Sequence, residues 1–133
     1  MPARSAFQYA ILRLVPREDR GECINVGVVV FCPQRRFLAA QIELDEQRLA
    51  ALAPQLDPAT VREALDAVDA VLAGDPVAGP LAALSPSERF GWVAAASSTM
   101  IQPSDVHTGL TDDPQRTLEH LFASLVAIGD GRR

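Results

Sequence analysis

Two groups of polar residues in this 133-residue sequence have the types and spacing that chemistry needs. The first is Arg13, Arg20, Glu22 and Asn25, with Gly27 close behind. Arg13 falls inside the apolar run FQYAILRLV, where a guanidinium taken out of water needs a partner. The expected partner is Glu22 on the adjacent strand, because Arg and carboxylate pair in a two-pronged geometry. Asn25 interrupts the apolar run CINVGVVVFC, and Gly27 removes a side chain from it. Such a glycine marks a bulge or the close approach of another backbone or ligand. A structural ion pair beside a bulge is the leading account of the group, and a binding site is the competing one.

The second group is Arg89 together with the segment Ser97–Asp113, which carries Ser98, Thr99, Gln102, Ser104, His107, Thr108, Asp112 and Asp113. Ordered polar connections of this length often carry function. A hydroxyl such as Ser98, His107 as base and Asp113 to orient it would follow the logic of a Ser-His-Asp triad, though no GxSxG elbow surrounds any serine. His107, Asp112 and Asp113 are metal-ligand types, but an Asp before Pro114 has helix-capping work to do, and no metal is assigned. Self-bonded turns and caps outweigh both readings. The other histidine, His120, is expected on the solvated flank of the last helix, and Phe90 and Trp92 are expected in the core.

The composition narrows the chemistry further. All 12 basic residues are Arg, so Schiff-base lysine chemistry and a P-loop lysine are excluded. A net charge of −5 argues against a general nucleic-acid or anionic-membrane binder. The charge is uneven: residues 1–50 hold 7 Arg against 6 acids, and residues 51–133 hold 5 Arg against 11 acids. Cys23 and Cys32 share no metal-ligand spacing and are expected as buried free thiols on opposite faces of one strand. The stretch Ala6–Val15, broken by Gln8 and Arg13, does not read as a signal peptide. No run reaches the roughly 18 apolar residues of a spanning helix, and the expected location is cytoplasmic.

The elements that must position these groups follow from periodicity. Residues 7–15, 23–32 and 37–43 read as strands of an antiparallel meander, the middle one apolar on both faces and so covered on each side. Asp45 caps a short helix through about Ala53, and Asp57-Pro58 opens a longer one that stops at Gly74. Residues 74–84 read as a loop. Ser85-Pro-Ser-Glu88 is a capping box for a helix through about Ala96, and a short strand is expected at 99–102. The last helix follows Pro114, and the tail 129–133 is expected to fray. The fold class is therefore α+β: one domain over 1–133, a three- to four-stranded antiparallel meander sheet (about 7–43) packed with about three main helices (about 45–127).

The opening FQYAILRLVPREDRGECINVGVVVFC and the later RFGWVAAASSTMIQPSDVHTGLTDDPQRTLEHLF together resemble the two signatures of a bacterial family, domain of unknown function 3037. The resemblance runs from about Ala6 to Val126, and the one departure noticed is Cys23, where a bulkier apolar residue is expected. The matching residues are Arg13, Arg20, Gly21, Glu22, Asn25, Gly27, Arg89, Ser98, Thr99, Gln102, Ser104, His107, Thr108, Gly109, Asp113 and Pro114. The resemblance assigns none of them a catalytic role and implies no cofactor. It implies a small bacterial protein that partners or regulates a HipA-type kinase-fold protein.

The leading expectation is thus a non-enzymatic interaction or regulatory module. Its recognition groove would lie between Arg13, Arg20, Glu22 and Asn25 on the sheet and the Ser98–Asp113 segment. The rival is a small enzyme acting on a phosphorylated or carboxylated substrate, with Arg20 and Arg89 holding the anion and His107 as acid/base. A protein partner is expected, with a homodimer as a further assembly, and no membrane. Nucleic acid ranks last, because it would need Arg13, Arg17, Arg20, Arg35 and Arg36 on one face, while a meander puts its successive turns at opposite ends.

Overall fold

A computed structural model describes residues 3–95 and 100–127. Strands β1 (Ser5–Leu14), β2 (Ile24–Cys32) and β3 (Phe37–Ile42) form the expected antiparallel meander. Helices α1 (Glu46–Leu52), α2 (Pro58–Ala73) and α3 (Pro86–Ala95) follow, then β4 (Ile101–Pro103), β5 (His107–Thr111) and α4 (Pro114–Leu125). The sheet has five strands in the order β3-β2-β1-β4, with β5 also paired to β1.

Each face of β2 is buried, which is why its sequence does not alternate. Val29 and Phe31 join Leu12, Leu14, Leu49, Val61, Leu65 and Phe90 in a core beneath α1–α3. Val28, Val30 and Cys32 join Phe7, Leu118, Phe122 and Val126 in a second core beneath α4. The helices begin where the capping residues place them. Asp45 accepts from the Gln47 and Arg48 amides, Asp57 from Ala59, and Asp113 from Arg116. Ser85 and Glu88 bond reciprocally to each other's backbone N–H, the capping box expected from sequence.

Four expectations are corrected. Residues 76–83 are 3-10 turns and not an irregular loop, opened by Asp75 accepting from the Val77 amide. The polar stretch before α4 holds two strands and not one: the expected short strand is β4, paired with Leu12–Leu14, and the unexpected β5 pairs with Ser5–Tyr9. Cys23 lies outside the β2 ladder and is exposed, and Cys32 alone is a buried thiol. Trp92 is 43% exposed and does not join the core. Two positions after buried Phe90, the turn of the helix carries Trp92 to the outside, while Val93 packs inward with Phe90. His120 is exposed, as expected of the flank of α4.

Candidate functional site

Arg13 does not bond Glu22. Its Nε and Nη2 donate to the Gln102 and Pro103 carbonyls at 3.3 and 2.9 Å. The register explains the choice, because Gln102 on β4 stands directly opposite Arg13 on β1. Glu22 precedes β2 and belongs to the turn, where Arg20, two residues away, grips it at 2.8 and 3.2 Å. The Arg20 hydrogen bond and charge hold the Glu22 carboxyl below its ordinary value, and Glu22 raises Arg20 by the same contact. Arg17 is held likewise by Asp19, at 3.1 and 2.6 Å.

Asn25 faces α4, where its Nδ2 donates to the Leu125 carbonyl at 3.0 Å and so satisfies one of the acceptors a helix end leaves open. The strand bends at this point. Leu12 faces Gly27 and Arg13 faces Asn25, so Val26 is an extra residue in the ladder. Gly27 is buried against β3, and an added Cβ would lie 3.0 Å from Ile42 Cγ1 and 3.1 Å from the Gln41 carbonyl oxygen. The glycine answers to a neighbouring strand.

Ser104 does comparable work between β4 and β5. The Ile11 N–H donates to Ser104 Oγ and the Ser104 N–H donates to the Ile11 carbonyl, both at 2.8 Å. The β1 register shifts by one residue across this point, from Leu12 opposite Pro103 to Tyr9 opposite His107. The serine hydroxyl replaces a main-chain acceptor at an edge-strand bulge. His107 is exposed and its ring stacks on Tyr9, with centroids 5.1 Å apart. Thr108 is exposed opposite Gln8. Gly109 lies under the Phe7 ring, where an added Cβ would be 2.7 Å from Cε1. Asp113 is the α4 cap, and its own N–H donates to Thr111 Oγ1 at 3.0 Å.

The two sequence groups therefore meet where Arg13 bonds the Gln102 and Pro103 carbonyls. Gln102 also reaches the turn after β1, donating to Glu18 at 3.4 Å. His107 pairs with Tyr9, five positions from the Leu14 end of β1, roughly 16 Å of strand from the turn that holds Arg20. Arg89 is on the other side of the sheet, where its Nη1 donates to the Leu84 carbonyl at 2.6 Å and its guanidinium lies against Gly74 at the end of α2. Among the described residues its Nε is buried without a partner. Arg20, Arg89 and His107 do not converge, so the expected anion site has no common location. Ser98 and Thr99 lie outside the described residues. Among the described residues no group of three His, Cys, Asp or Glu side chains is placed to hold a metal ion.

Arg13, Arg17, Arg20, Arg35 and Arg36 do not form one basic face either. Arg35 is bound to the Ala3 and Asp112 carbonyls and to Ser5 Oγ, at the sheet end opposite the paired Arg17 and Arg20. No helix among the described residues is long and apolar enough to cross a membrane.

Sequence reasoning missed a concavity of about 550 Å³ between α2, the 3-10 turns and α3. Its walls are Val68, Val71, Val77, Ala78, Leu81 and Trp92, with Glu63 and Asp66 at the rim. Val77 is 80% exposed beside it. The i, i+2 spacing of Phe90 and Trp92 was the available signal, since one helix cannot bury both on the same face.

A single antiparallel sheet sealed by helices on both faces, with its polar motifs bonded into strand edges and helix ends, defines a small α+β scaffold. The chain belongs to the family described as "Protein of unknown function (DUF3037)", whose model matches residues 9–126. No curated protein and no solved structure matches it.

Proposed function

We infer that this protein is a non-enzymatic interaction module that docks a protein partner in the α2–α3 concavity, the partner being the HipA-type kinase-fold protein that the family resemblance implies. One observation carries the reading: Trp92 and Val77 stand exposed over an apolar concavity, while Ser104 and Asn25 of the polar motifs are bonded to main-chain groups of the fold. Exposed tryptophans beside apolar pockets are the side chains that dominate binding energy at protein interfaces. The carboxylates of Glu63 and Asp66 at the rim favour a partner surface with basic residues around an apolar anchor. The enzyme reading gains no support from the placement of Arg20, Arg89 and His107.

Size-exclusion chromatography of the purified chain mixed with the purified kinase-fold protein tests this. The expected result is co-elution that Trp92→Ala abolishes. Separate elution at about 100 μM of each, or co-elution indifferent to Trp92→Ala, overturns it.

A further inference from the structure

Among the described residues four large hydrophobic side chains stand exposed. Val77 and Trp92 belong to the α2–α3 concavity, and the other two are Leu110 in β5, 63% exposed, and Val106 just before it, 39% exposed. Strand β5 pairs with β1 on one side, and among the described residues no strand pairs with its other side. Its main-chain directions follow from β1. The Ile11 N–H and C=O both bond Ser104, and the direction of bonding alternates along a strand. Tyr9 and Phe7 therefore aim theirs at His107 and Gly109, which stand opposite them in the ladder. Thr108 and Leu110, and Val106 by continuation, aim theirs outward, where an edge strand is open to another chain. The side chains of these three share one face, since Leu110 stands opposite Ala6 and Thr108 opposite Gln8. Ala6 is exposed as well, so the helices on that face do not cover this corner.

We propose that a second copy of this chain adds to the β5 edge in an antiparallel, two-fold pairing centred on Thr108, so that one sheet runs through both copies. The outward main-chain groups belong to even-numbered residues, so they must meet even-numbered residues of the other copy, and like faces stay together. Within that rule the apolar side chains select the register. Centred on Thr108, the pairing sets Val106 of each copy against Leu110 of the other and Thr108 against itself. Centred on Gly109, it would set Leu110 against Thr108 and Val106 against Asp112. Only the first covers both exposed apolar side chains, and symmetry makes the match twice. The same register brings Asp105 opposite Thr111, at the β5–α4 cleft that Arg116 borders. Among the described residues neither Asp105 nor Arg116 forms an ion pair. The edge is thus self-complementary in shape of pattern and in charge, as a closed two-fold contact requires, and an arbitrary foreign strand would lack that match. Six residues span roughly 20 Å, so the contact is small and the dimer belongs to the weak, concentration-dependent class.

Analytical ultracentrifugation from about 10 to 500 μM reads the association directly. The native chain is expected to shift from monomer to dimer across that range. Val106→Glu and Leu110→Lys are each expected to weaken the dimer about tenfold or more, because a charge then faces an apolar side chain at two symmetric places. The double variant Val106→Glu/Leu110→Lys sets opposite charges against each other in this register, and it is expected to associate more tightly than either single variant. Both positions are exposed, and circular dichroism of each variant checks that it is folded. Trp92→Ala, in the α2–α3 concavity, is expected to leave the association unchanged. A chain that stays monomeric at 500 μM, leaving the edge to a strand of another protein, overturns the proposal. So does a dimer that either single substitution leaves as strong, a double variant no tighter than the singles, or a dimer lost with Trp92→Ala.

Discussion

Gly109 offers the sharpest test of whether the His-Thr-Gly segment is architecture. It faces Phe7 across the β1–β5 pair, and an added Cβ would meet the ring at 2.7 Å (Cε1) and 2.9 Å (Cζ). Carbon atoms at ease sit about 3.5–4.0 Å apart, so the ring must withdraw by roughly 0.8 Å. Phe7 is 8% exposed and shares its core with Leu118 and Phe122, so the withdrawal pushes into packed side chains. Overpacking of this kind costs about 1–3 kcal/mol. For a chain of this size that lowers Tm by roughly 4–12 °C. Urea denaturation followed by circular dichroism measures the loss for Gly109→Ala alone, for Phe7→Leu alone and for both together. The smaller leucine leaves room, so the double variant should be more stable than additivity predicts by about 1 kcal/mol or more. An Ala substitution that costs nothing, or two changes that simply add, would refute the steric reading.

Two further predictions follow from single contacts. Ser104→Ala leaves the Ile11 N–H without the acceptor it now has at 2.8 Å, and about 1–3 kcal/mol of stability should be lost, with faster hydrogen exchange at that amide; unchanged exchange would contradict the role given to the hydroxyl. Burial, with Asp66 adding to it, raises the Asp69 carboxyl above its ordinary 3.8 in the folded state. Its stabilising contribution is therefore complete below about pH 3.8 and is lost as pH rises through the higher folded value. Asp69→Asn should raise Tm by about 1–3 °C at pH 7 and leave it unchanged near pH 3, and a drop at pH 7 would contradict the assignment.

Much of the scaffold could be read from residues because local signals and burial agreed. The doubly apolar run 24–32 had to be a covered strand, and Asp45, Asp57 and Ser85 had to start helices. β5 was harder to see. His107–Thr111 lies at the sheet margin with three residues exposed, so it carries almost no apolar alternation, and its pairing is set by β1. Arg13 shows a different limit. The need for a partner is local, but any acceptor meets it, and only the register of β4 brings two carbonyls closer than Glu22. Asn25 likewise bonds a helix end a hundred residues along the chain, a distance no periodicity spans. These residues are motif-like because the fold closes on them, which is why their clustering resembled a binding site.

A calorimetric titration of the kinase-fold partner into the native chain, Trp92→Ala and His107→Ala tests the central claim most directly. If the motif residues build the sheet and the α2–α3 concavity does the docking, the native chain and His107→Ala bind alike. Trp92→Ala should then lose about 2 kcal/mol or more, roughly thirtyfold in affinity. Binding that survives Trp92→Ala and disappears with His107→Ala would contradict it.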